Sequence, residues 1–81
     1  TMNQNQLLII FKEVFPTATF TVAFNKLELN SIPEWDSIGN LNLILRIEEA
    51  FDIRFSSAEL SELKSIKQIE QALKDKDVYE D

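Results

Sequence analysis

The chain has no cysteine, no histidine, a single glycine and two prolines in 81 residues. Without cysteine there is no disulfide and no thiolate nucleophile, and without histidine the side chain best suited to proton transfer near neutral pH is missing. Cys/His metal sites are excluded with them, and carboxylates with scattered serines make no catalytic constellation. The sequence therefore reads as a non-enzyme with no metal site. Positive charge is also scarce: 8 basic against 14 acidic side chains give a net charge of -6. Nucleic acid and anionic membrane surfaces, which need a basic patch, are excluded as partners. The longest unbroken apolar run, Leu7 to Phe11, is far short of the roughly 20 residues of a membrane span. The polar start Thr1-Met2-Asn3-Gln4 carries no charged lead-in to a signal sequence, so a cytoplasmic protein without membrane insertion is expected.

What is present suffices for one domain over residues 1–81 with one small core. Its longest helical pattern begins at Glu34-Trp35-Asp36-Ser37-Ile38. Asp36 is a strong N-cap, because its carboxylate can accept from a first-turn amide that lacks a helical partner. Ser37 then falls in the first turn, where free amides and the helix dipole favour an attached phosphate. The same Asp-Ser pair is also a common plain cap. From Ile38 to Phe51 the apolar residues form two stripes at about 100° per residue. Leu43, Ile44, Ile47, Ala50 and Phe51 span an arc of about 120°, the width of a core-facing side. On nearly the opposite side Ile38, Leu41 and Leu45 are flanked by Asn42, Glu48 and Glu49, with the i, i+3, i+7 spacing of a helix that docks into a groove.

Four helices are predicted, over about 5–15, 37–51, 57–63 and 66–74. The first rests on Leu7, Leu8, Phe11, Val14 and Phe15, and Pro16 ends it. Residues 16–36 form a long connection in which Thr19 to Phe24 alternates like a strand but has no partner strand, so it is read as an ordered loop whose phenylalanines meet the helices. Leu27, Leu29, Ile32 and Trp35 are its expected anchors. Ser56 with Glu59 forms a capping box for the third helix, which brings Leu60 and Leu63 to the core, and Ser65 with Gln68 repeats the device for the fourth, whose stripe is Ile66, Ile69 and Leu73. Residues 76–81, charged, are expected to fray.

The run D-S-I-x-x-L-x-L-I-L-x-I-E-E-A-F-D-I, set between a preceding apolar helix and two following helices, resembles the acyl carrier proteins across essentially the whole chain. The resemblance implies an all-α fold: a small four-helix bundle, three longer helices plus one short, whose long loop between helices 1 and 2 crosses the bundle. It implies that Ser37 carries 4′-phosphopantetheine, donated by coenzyme A through a phosphopantetheinyl transferase, with Asp36 capping the helix and presenting the serine. Ile38, Leu41, Leu45, Glu48 and Glu49 would dock partners. Leu43, Ile44, Ile47, Ala50 and Phe51 would line the interior that takes up an acyl chain. The implied protein is a monomer that holds acyl intermediates as thioesters for acyl-loading and acyl-processing enzymes. Fatty-acid carriers often place acids where this chain has Gly39 and Asn42, which points to a specialised biosynthetic pathway, with Gly39 giving the arm room. A peptidyl or aminoacyl carrier, and an unmodified helical interaction module in which Ser37 is only a cap, are the alternatives.

Overall fold

The computed structural model describes residues 2–80. Among them are four α-helices, α1 (Gln4–Val14), α2 (Ser37–Phe51), α3 (Ser57–Leu60) and α4 (Ile66–Asp75), with a 3₁₀ turn at Phe24–Lys26 between the first two. No strand forms among the described residues, and strand-like pairing is confined to isolated bridges between Met2 and Tyr79 and between Glu28 and Ser65. None of these helices is long and apolar enough to cross a membrane.

Helix α1 starts one residue earlier than its apolar pattern suggests, because Asn3 and Gln6 form a reciprocal capping box. The Gln6 amide donates to Asn3 Oδ1 at 3.3 Å and the Asn3 amide donates to Gln6 Oε1 at 2.7 Å. Its buried side is Leu7, Ile10 and Phe11, continued by Phe15, whereas Leu8 and Val14 are only half-buried. The expected stripe is thus rotated toward Ile10. Five apolar residues in a row surround a helix, so periodicity leaves the inner side open and the neighbouring rings decide it. Phe11 meets Phe15, Phe20, Phe24 and Trp35 edge to face, with centroids 4.9, 6.1, 5.3 and 5.5 Å apart, a favoured arrangement of aromatic quadrupoles.

Three of those four rings come from residues 15–36 beyond Phe15, where Leu27, Ile32 and Trp35 are buried and Leu29 is half-buried. The alternating segment before them has no strand partner. Pairing occurs a few residues later: the Leu29 amide donates to the Lys64 carbonyl at 2.7 Å, and the Ile66 amide donates to the Leu27 carbonyl at 3.0 Å. This stitch joins the first connection to the turn between α3 and α4.

Helix α2 ends at Asp52, which adopts a left-handed conformation (φ 54°) and donates its N–H to the Glu48 carbonyl. Helix α3 has the expected Ser56–Glu59 box but stops at Leu60, short of residue 63. Leu63 enters the core while Leu60 stays 39% exposed; the chain must leave the helix for Leu63 to turn inward and for Lys64 to meet Leu29. Helix α4 is capped by Ser65, whose Oγ accepts from the Gln68 amide at 3.1 Å, and it buries Ile66, Ile69 and Leu73.

The segment after α4 does not fray as its charge suggests. The Met2 amide donates to the Val78 carbonyl at 2.9 Å and the Glu80 amide to the Met2 carbonyl at 2.8 Å. Between them Tyr79 is only 5% exposed, and its hydroxyl donates to Glu70 Oε2 at 2.7 Å. One buried aromatic outweighs the surrounding charge in holding the segment down, and the partner it needs lies at the opposite end of the chain. Asp81, the last residue of the expected tail, lies outside the described residues.

Two outcomes follow from these contacts. Tyr79→Ala lowers unfolding free energy by about 3 kcal/mol, the scale of emptying a buried aromatic site, measured by urea titration; a loose tail would give about 0.5 kcal/mol or less. The second concerns Glu59, whose carboxyl is held below the ordinary carboxylate range, first by the Ser56 amide and further by the Lys76 ammonium at 3.2 Å. A lowered folded-state pKa stabilises the protein when the group is ionised, so the contribution is complete above the ordinary range and disappears as pH falls through the lowered value. The stability gap between wild type and Glu59→Gln is therefore constant near neutrality and closes in acid.

Candidate functional site

The first turn of α2 is fixed by its cap. Asp36 is extended (φ -100°, ψ -168°), and its Oδ1 accepts from the Gly39 amide at 2.8 Å. Its own carbonyl accepts from the Asn40 amide at 2.7 Å. Those bonds satisfy the third and fourth amides of the helix and leave those of Ser37 and Ile38 without a protein acceptor among the described residues. Ser37 is exposed, and its hydroxyl has no hydrogen bond among the described residues. A hydroxyl in this place is reachable, and the positive end of the helix favours a negative group attached to it.

Gly39 has a different reason from the one its position beside Ser37 suggests. It is buried, and a Cβ built there would collide with the Glu34 carbonyl oxygen while lying 2.9 Å from Phe15 Cε1 and 3.3 Å from Asp36 Oδ1. The missing side chain lets α2 press against the end of α1 and the chain before the cap; it opens no space for an arm. Glu34 is itself held there, its Oε2 accepting from the Thr17 hydroxyl at 3.0 Å.

The outer flank of α2 presents Ile38, Leu41 and Leu45 at 73%, 54% and 53% exposure. Asn42 and Glu49 are exposed beside them. Glu48, by contrast, is half-buried, and its Oε2 accepts from the Phe55 amide at 2.8 Å, so it clamps the turn after α2 and does not stand free on the rim. Beyond Leu45 the flank runs into an open cleft of about 580 Å³ lined by Leu45, Glu48, Glu49, Asp52, Ile53 and Arg54. Arg46, on the same helix, points to α1 and pairs with Glu13 at 3.1 Å.

The inner flank places Leu43, Ile44, Ile47 and Phe51 in one apolar core with α1, α4 and the first connection, and Ala50 lies half-buried against it. No polar or charged residue is buried among the described residues. One residue that periodicity does not single out completes the site. Asn40 accepts from the indole N–H of the buried Trp35 at 2.9 Å and donates through Nδ2 to the Leu63 carbonyl at 3.0 Å. Only the spacing of a Trp five residues before an Asn across a cap could have hinted at it.

Gly39→Ala destabilises the fold by about 1–3 kcal/mol, the cost of overpacking a tight contact, whereas Ile38→Ser changes stability by about 0.5 kcal/mol or less because nothing covers that side chain; chemical denaturation of the two variants checks both. In comparisons with known proteins, no family model, no curated protein and no solved structure matches the chain.

Proposed function

We propose that the protein is an acyl carrier that holds acyl intermediates as thioesters on a 4′-phosphopantetheine arm attached to Ser37 and delivers them to partner enzymes. The observation that carries this reading is the exposed, unbonded Ser37 hydroxyl at the first turn of α2, next to the uncovered stripe Ile38, Leu41 and Leu45. The four helices, one of them short, with residues 15–36 between α1 and α2, accord with the small bundle and long crossing loop of the carrier family.

In this reading Asp36 shapes the turn that presents Ser37 to a phosphopantetheinyl transferase. The Ser37 oxygen would form a phosphoester as the pyrophosphate bond of coenzyme A breaks, adenosine 3′,5′-bisphosphate leaves and the hydroxyl proton passes to a base of the transferase, in a place where two amides and the helix dipole favour the new charge. A tethered acyl group meets each enzyme at high local concentration once the carrier has docked. Docking uses Ile38, Leu41 and Leu45 with Glu49; Glu48 supports the surface from its bond to Phe55. Such interfaces are small, because a tightly held carrier cannot move on. The apolar interior walled by Leu43, Ile44 and Ile47 has the chemistry to accept an alkyl chain. With Gly39 turned inward and Asn42 neutral, the half of the stripe nearest Ser37 carries no acid, which supports a dedicated carrier of a specialised pathway over one serving general fatty-acid synthesis.

Incubation with coenzyme A and a broad-specificity transferase gives a mass gain of one phosphopantetheinyl group in wild type and none in Ser37→Ala. Folded wild type that gains no mass would instead identify an unmodified interaction module using the same stripe, and loading of the arm by an adenylating enzyme with an amino acid would identify an aminoacyl carrier.

A further inference from the structure

We infer that Asn40 is the positioning residue for Ser37: its amide ties the modified end of α2 to the turn between α3 and α4, and this inference rests on the carrier reading above. Asn40 makes three hydrogen bonds to two separate stretches, Trp35 and Asp36 before the helix and Leu63 after α3. Its backbone N–H donates to the Asp36 carbonyl at 2.7 Å, its Oδ1 accepts from Trp35 Nε1 at 2.9 Å, and its Nδ2 donates to the Leu63 carbonyl at 3.0 Å. The assignment of its two ends is forced by chemistry, since an indole N–H can only donate and a carbonyl can only accept. Trp35 is fully buried, so its N–H has no water to turn to and depends on Asn40.

The target of the second bond is itself anchored. Lys64 and Ile66, on either side of Ser65, are paired with Leu29 and Leu27, and Leu63 is buried in the core. Asn40 therefore fixes the first turn of α2 to a stitched part of the fold, one turn from Ser37. Gly39 brings this turn close to α1 and Asp36 closes it, but neither reaches the turn between α3 and α4; Asn40 alone among the residues of the turn spans that gap, by one side-chain hydrogen bond. A loosened turn leaves the stripe Ile38, Leu41 and Leu45 on the surface while the hydroxyl samples poses that a transferase cannot use. The effect of losing Asn40 then falls on turnover and spares docking.

The test measures transferase loading with coenzyme A for wild type, Asn40→Ala and Asn40→Asp, each shown to be folded by far-UV circular dichroism at the assay temperature. Asp keeps an acceptor for Trp35 and replaces the donor to Leu63 with a second carboxylate oxygen that repels that carbonyl, so it breaks the tie and carries the test should the Ala variant fail to fold. Expected is a fall in kcat of about tenfold with KM for the carrier unchanged, in keeping with the cost of slight misplacement of a reacting group. A variant that loads at the wild-type kcat, or one whose KM alone rises, overturns the positioning role. Amide hydrogen exchange supplies an arm that needs no transferase. The Gly39 and Asn40 amides lose protection in the variants while those of Ile69 and Leu73 keep theirs; an equal loss at all four shows a general contribution to stability and overturns the inference. A wild type that takes up no arm fails the carrier reading by itself, and the exchange arm then still decides whether Asn40 anchors the turn.

Discussion

The close approach of backbone to backbone at Gly39 is the constraint on which the rest depends. Helix α2 can lie against Phe15 and the Glu34 carbonyl only because position 39 lacks a Cβ. That contact sets the rotation of the helix about its own axis. With Gly39 inward, Leu43, Ile44, Ile47 and Phe51 follow it into the core at helical spacing, and Ile38, Leu41 and Leu45 are turned outward. The loss of helix propensity at glycine is small this close to the N-terminus and is offset by the contacts it permits.

Charge is distributed in keeping with that geometry. Glu13 and Arg46 join α1 to α2, Glu59 and Lys76 join α3 to the chain after α4, and Lys76 also lies over the Phe55 ring with 5.4 Å to its centroid. These pairs are partly exposed and add little stability individually; their effect is to occupy charges that would otherwise stand on the surface. What remains beside the bare stripe is Glu49, with Asp52 and Arg54, of opposite sign, in the cleft beyond it.

The sequence disclosed the two-sided nature of α2 and the Asp36 cap because both are local: a 3.6-residue period with two stripes and an acidic residue before it need no distant partner. The caps at Ser56 and Ser65 were legible for the same reason. The features that escaped all involve a second stretch of chain. Gly39 looked like space for an arm because Phe15 is far away in sequence; Glu48 looked like a rim acid because its bond to the Phe55 amide arises only after the left-handed turn at Asp52; Tyr79 looked loose because Met2 and Glu70 are what hold it. Ile10 was hidden within a run of five apolar residues, where period carries no information about which side faces the core. Leu63 is in the core as expected, but Leu60 stays exposed because helix α3 ends where the next turn must pair with Leu27 and Leu29.

Hydroxyl-radical footprinting of the folded protein tests the central claim most directly, since it reads the exposure of each side chain of α2 in solution. The account predicts that Ile38, Leu41 and Leu45 are oxidised at rates near those of the unfolded chain while Leu43, Ile44 and Ile47 are strongly protected. Equal protection of both sets would mean that the outer flank is covered, and would contradict the account.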